Sequence, residues 1–148
     1  SYDRPHDLTL SIYSKLPLGI NAGITAFYQS GPPYTPLIFN GRDPQSDIKN
    51  PNSKRQPPFR NVNLLFTKAF KYYGLTVNMG LNIQNVFNII NELDIWPLTG
   101  TADEPGEYYT DRVGLPDAEH DKPSSYYDRP WMYYSPRQMN FYIRIDFK

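Results

Sequence analysis

Stepped two at a time, the closing residues QMNFYIRIDFK set Met139, Phe141, Ile143, Ile145 and Phe147 on one side, and Gln138, Asn140, Tyr142, Arg144 and Asp146 on the other. A period of two belongs to a strand whose faces meet different media. The alternation recurs upstream. Leu8, Leu10 and Ile12 alternate with Thr9, Ser11 and Tyr13; beyond a short turn through Leu16, Pro17, Leu18 and Gly19, the residues Ile20, Ala22, Ile24, Ala26 and Tyr28 alternate with Asn21, Gly23, Thr25, Phe27 and Gln29. Val62, Leu64, Phe66 and Phe70 share a face interrupted by Lys68, and a tight turn at Tyr72, Tyr73 and Gly74 follows. Leu75, Val77, Met79, Leu81 and Ile83 then alternate with Thr76, Asn78, Gly80, Asn82 and Gln84. The pattern predicts an all-β chain of about five antiparallel strands, near residues 7–15, 19–30, 61–72, 75–87 and 138–147.

The prolines mark what lies between. Seven of the 15 fall between Gly31 and Arg60 and six between Ile89 and Arg137. Proline cannot donate to a sheet ladder, so residues 31–60 and 88–137 are expected to be long loops. Connections therefore run tight, long, tight, long. A soluble sandwich spreads its loop lengths over both ends, whereas an outer-membrane barrel has short periplasmic turns and long extracellular loops. Strands of this length also suit the roughly 9–11 residues of a tilted membrane-crossing strand. The polar faces suit a wet lumen or a solvated sandwich surface equally. On the apolar face Lys68 is the only charge, near a turn toward which its stem could snorkel. Tyr72 and Tyr73 at that turn, and Tyr28 at the opposite end, lie where interfacial aromatic girdles belong.

Composition narrows the classes. Lys+Arg and Asp+Glu both number 15, so net charge gives no reason to expect nucleic acid as a partner. The chain has no cysteine, which removes disulfides, thiolate metal sites and cysteine nucleophiles. No apolar run approaches the roughly 18 residues of a membrane-spanning helix. SYDRPHDL at the start has neither an initiating Met nor the regions of a signal peptide, which implies processing or a longer parent chain.

Three stretches carry a resemblance. NVNLLFTKAFKYYGL (Asn61 to Leu75) reads as strand plus turn; LTVNMGLNIQNVFN (Leu75 to Asn88) closes a strand with an Asn-apolar-Phe-Asn unit; YSPRQMNFYIRIDFK (Tyr134 to Lys148) enters its last strand through Pro-Arg. In order and spacing they resemble the C-terminal barrel segment of TonB-dependent outer-membrane receptors, and the opening 36 residues are similar to a descending strand, turn and ascending strand of such barrels. The resemblance implies a share of a roughly 22-stranded barrel in the bacterial outer membrane, with two long extracellular loops, taking part in energised nutrient uptake. Implied partners are outer-membrane lipid, the rest of the barrel and its plug, TonB through that plug, and the barrel-assembly machinery, for which Phe141, Ile143, Ile145 and Phe147 would form the recognition signal. About five strands are too few to close a barrel, so the chain looks like the tail of such a receptor or a subunit that completes one.

The remaining features weigh toward ordinary roles. His6 beside Asp7 and His120 beside Asp121 offer no catalytic arrangement, and no enzyme activity or cofactor is expected. Asp103, Glu104, Glu107, Asp111, Asp117, Glu119, Asp121 and Asp128 match no calcium-loop spacing, so no metal site is expected. Tyr108, Tyr109 and Trp131, among the rings Tyr126, Tyr127, Tyr133 and Tyr134, are candidate extracellular contacts to a sugar or peptide, weighed against packing of the loop on itself. YDRP occurs twice, at Tyr2–Pro5 and Tyr127–Pro130, upstream of the first and the last strand. The alternative is a secreted β-sandwich binding module with aromatic glycan-binding loops.

Overall fold

The computed structural model describes residues 3–39, 43–109 and 129–147. Its strands are β1 (Asp7–Leu16), β2 (Ile20–Gln29), β3 (Pro33–Tyr34), β4 (Leu37–Phe39), β5 (Pro44–Ser46), β6 (Lys54–Arg55), β7 (Phe59–Tyr72), β8 (Leu75–Gln84) and β9 (Gln138–Phe147). The five long ones form a single sheet in the order β1-β2-β7-β8-β9, all-β and antiparallel as the alternation predicts. The sheet is not closed.

The tight turns follow from local chemistry. Tyr72 pairs with Leu75 across the two-residue turn Tyr73–Gly74, where both residues have positive φ (45° and 82°). That is the primed hairpin geometry whose twist matches its strands, and the glycine supplies the second position at no steric cost. Between β1 and β2 a single 3-10 turn, Pro17–Gly19, reverses the chain.

Two expectations need correction. Residues 31–60 are not loop throughout: β3 pairs with β6 and β4 with β5 as two small ribbons. Pro33 and Pro44 are tolerated there because each is the first residue of its short strand. The strand expected over 75–87 ends at Gln84, since Asn85 turns to φ 53° and leaves the ladder. β9 runs over Gln138–Phe147 as expected.

The chain divides into two compact units. Unit 1 comprises Ser1–Asp7, Gln29–Phe59 and Ile90–Tyr134, and unit 2 comprises Leu8–Tyr28, Arg60–Ile89 and Ser135–Lys148. Unit 1 has a small buried core of Ala102, Met132 and Tyr133 with Trp96 packed against it. In unit 2 the buried residues are Gly23, Gly80 and Asn85; among its described residues no large apolar side chain is buried.

Candidate functional site

Register sorts the apolar and the polar positions onto the two faces of the unit 2 sheet. Leu64↔Ile83, Phe66↔Leu81, Lys68↔Met79 and Phe70↔Val77 pair between β7 and β8, and Ile83↔Met139, Leu81↔Phe141, Met79↔Ile143, Val77↔Ile145 and Leu75↔Phe147 between β8 and β9. One apolar surface therefore crosses three strands without a slip. The four residues expected to signal barrel assembly, Phe141, Ile143, Ile145 and Phe147, lie on it, and they are 49–79% exposed. At the other edge Leu8, Leu10 and Ile12 are 56–64% exposed. Lys68 lies within this surface with its Nζ 4.6 Å from the centre of the Phe70 ring, reaching toward the Tyr73–Gly74 turn. Of the expected girdle residues, Tyr28 is exposed near the C-terminal end of β2 and Tyr73 in the turn that follows β7, and the Tyr72 side chain lies outside the described ones.

The opposite face is polar by the same register: Asn82↔Asn140, Asn78↔Arg144 and Thr76↔Asp146. Asn78 Nδ2 donates to Asp146 Oδ2 at 2.9 Å, Arg144 Nε reaches the same oxygen at 3.2 Å, and Ser11 Oγ donates to Thr25 at 3.2 Å. Two glycines there serve as seats for tyrosines of the edge strands. A methyl group on Gly80 would land inside the Tyr142 ring, and one on Gly23 would collide with Tyr13.

Beyond β8 the NVFN unit acts as a clamp. Asn85 accepts from Ile89 N at 2.8 Å and donates to Ile89 O at 2.9 Å, so one side chain answers both polar groups of a backbone unit. Asn63 Oδ1 accepts from Asn85 N, and Asn88 Oδ1 accepts from Arg137 N at 2.9 Å, one residue before β9 begins. The Asn residues and Pro-Arg thus tie the ends of three neighbouring strands together. Sequence reasoning noticed the unit but not this role.

In unit 1 the aromatic candidates Tyr108 and Tyr109 are half-buried and pack against other rings. Phe39, Tyr108, Tyr109 and Trp96 form a chain of ring contacts with centroids 6.1, 5.3 and 5.3 Å apart. Tyr108 also donates to Asp43, and the Trp96 indole donates to Ala102 O at 3.1 Å. Trp131 is different: it sits in the 3-10 turn Pro130–Met132 and is 68% exposed. His6 is exposed, and its carbonyl accepts from Ser30 N. His120, Tyr126, Tyr127, Asp111, Asp117, Glu119, Asp121 and Asp128 lie outside the described residues. Among those described, no group of three metal-ligating side chains occurs. The described parts of the two YDRP copies differ: Arg4 donates to Gln29, while Arg129 is buried, donates to Asp103 O and lies over the Trp96 ring.

Unit 1 also holds a cavity of about 330 Å³ that sequence reasoning did not foresee, lined by Arg4, Gln56, Phe59, Glu92, Leu93 and Tyr134 among others. Its residues come from three segments. Asp3 is fixed by Arg55, whose Nη2 lies 2.7 Å from the Asp3 carboxylate, and Gln29 bridges Arg4 to Asp7, so the guanidinium of Arg4 is held from behind. Gln56 N donates to Pro32 O, continuing the β3–β6 ribbon. Glu92 bridges Tyr133 through its backbone, its Oε2 accepts from Ala102 N at 2.8 Å, and Phe59 meets Tyr134 edge-on with ring centres 4.8 Å apart. Burial raises the Glu92 carboxyl above its ordinary range; the Ala102 N–H works against that and the Asp103 charge adds to it.

Compared with family models, curated proteins and solved structures, the chain matches none.

Proposed function

We propose that this chain forms part of the wall and outer loops of a transmembrane β-barrel in the bacterial outer membrane, as the C-terminal segment or a subunit of a TonB-dependent receptor for energised nutrient uptake. The observation that carries the reading is the uncovered apolar face of the five-stranded sheet. Leu8, Leu10, Ile12, Ile24, Phe70, Met139, Phe141, Ile143, Ile145 and Phe147 all stand exposed on it. Full burial is worth about 1.5–3 kcal/mol per side chain, so if roughly half is unrealised in each, these ten forgo roughly 8–15 kcal/mol in water. That equals the whole stability of an ordinary domain, about 5–15 kcal/mol. Lipid removes the deficit without any covering layer.

The connectivity supports the same reading. Sheet neighbours are successive in the chain apart from the small ribbons between β2 and β7, which is the up-and-down order of a barrel wall, whereas sandwiches cross over in Greek keys. β1 and β9 end the sheet with unpaired backbone groups on their outer sides, which lipid cannot satisfy. In this reading further strands pair there: the remainder of the barrel is the chain's principal partner, with the plug and TonB behind it. β9, regular and exposed, is the strand the assembly machinery would pair with first.

The absence of native cysteine makes the test clean. Single cysteines at Ile143 and Arg144 point to opposite faces of β9. In outer membranes, Ile143→Cys should react with a lipid-soluble maleimide and resist a water-soluble one, with Arg144→Cys behaving the opposite way. Equal labelling of both by the water-soluble reagent, or a purified chain that stays folded without detergent, refutes the reading in favour of a soluble module.

A further inference from the structure

The lining of the unit 1 cavity includes both a basic side chain, Arg4, and an acidic one, Glu92. Among the described residues no ion pair joins Arg4 to Glu92, although both line the same space. Each is held by its own support: Arg4 by Gln29, which in turn is anchored on Asp7, and Glu92 by the Ala102 N–H. Side chains fixed in this way lose little freedom when a ligand arrives. Phe59, Leu93 and Tyr134 give the lining an apolar and aromatic part, alongside the polar side chains of Ser30 and Gln56. The volume of about 330 Å³ is at the lower end for small-molecule sites, about 300–1,000 Å³.

Charge complementarity selects the occupant. A neutral sugar can hydrogen-bond to Arg4 and Glu92 but brings an opposite charge to neither. A simple anion would meet Arg4 but face Glu92, and a simple cation would meet the reverse problem. A molecule with a carboxylate at one end, an ammonium at the other and an apolar side chain between answers both charges and the apolar part of the lining. We propose that this cavity binds a short zwitterionic peptide of about two residues, its carboxylate on Arg4, its ammonium on Glu92 and its apolar side chain against Phe59 and Leu93. Binding is a property of unit 1; that the peptide is also cargo rests on the receptor reading.

The probe is alanyl-leucine, titrated calorimetrically into the full chain in detergent micelles, beside N-acetyl-alanyl-leucine, alanyl-leucinamide and maltose. Alanyl-leucine should bind saturably, and blocking either end should weaken binding about tenfold or more, because each removes a charge-assisted contact. Arg4→Gln should weaken alanyl-leucine by a similar factor yet leave the weaker binding of alanyl-leucinamide unchanged; Glu92→Gln should do the same with respect to the acetylated peptide. No saturable binding of alanyl-leucine, blocked peptides that bind as tightly as the free one, or binding of maltose alone overturns the proposal. The blocked peptides test it on the unaltered protein, so a variant that fails to fold does not protect it. Labelling of the Ile143→Cys and Arg144→Cys variants in outer membranes separates the two readings. A chain seated in lipid that ignores the dipeptide overturns the site alone, and a chain soluble without detergent that binds it overturns the barrel alone.

Discussion

Replacing Asn85 with alanine removes the clamp at the end of β8. The side chain makes two hydrogen bonds to one backbone unit, accepting from Ile89 N at 2.8 Å and donating to Ile89 O at 2.9 Å, in a buried position. At about 1 kcal/mol net for each bond, the loss is about 2 kcal/mol. Asn85 also has φ 53°, a left-handed conformation that asparagine tolerates and alanine resists, which adds about 1 kcal/mol. The expected destabilisation is therefore about 3 kcal/mol for Asn85→Ala and about 2 kcal/mol for Asn85→Gly, which keeps the backbone conformation but not the bonds. Hydrogen exchange of the Ile89 amide reads the change directly. An opening made easier by about 2 kcal/mol lowers its protection by about thirtyfold. Urea unfolding in micelles, followed by circular dichroism of the strands, gives the global cost. Protection of Ile89 within about twofold of wild type, with an unmoved urea midpoint, would show that the NVFN unit is a passive turn.

Further predictions concern both units. Gly80→Ala should cost about 1–3 kcal/mol because its methyl collides with the Tyr142 ring, and adding Tyr142→Ala should recover part of that loss in a double-mutant cycle; strictly additive costs would mean the ring does not rest on Gly80. Ile143→Lys on the apolar face should cost about 2–4 kcal/mol in bilayers, whereas Asn82→Lys on the polar face should cost well under 1 kcal/mol, and equal costs would contradict the assignment of faces. Burial raises the Glu92 carboxyl above 4.5, so folded unit 1 holds a proton that the unfolded chain has released. Its contribution to stability is complete below pH 4.5 and is lost as pH rises through the raised value. Glu92→Gln should flatten that part of the stability profile, measured as unfolding midpoints at successive pH values, and an unchanged slope would place the titration elsewhere.

Much of the unit 2 sheet was legible along the chain because alternation is a local property. Each of Leu75 to Ile83 and Met139 to Phe147 declares its face through its immediate neighbours, and the register found between β8 and β9 preserves every assignment. Tyr73–Gly74 could likewise be read as a turn, since turn chemistry lies within four residues. The end of β8 was not: the residue that stops it, Asn85, needs Asn63 and Ile89 as partners, and the first is 22 positions away. The prolines marked stretches that lie between the long strands but concealed the ribbons β3–β6 and β4–β5, whose pairing depends on chain returning from outside each short segment.

The sequence by itself determined the five long strands, their two faces and the tight turns, because period, proline and turn residues act over a few bonds. Only the tertiary structure decided that Tyr142 rests on Gly80, that Tyr108 and Tyr109 are spent on packing, and that Arg4 and Glu92, 88 positions apart in number (92 − 4), share one cavity. No local pattern carries such facts. A charge has no periodicity, and its role is set by which distant segments desolvate it and which leave it a partner.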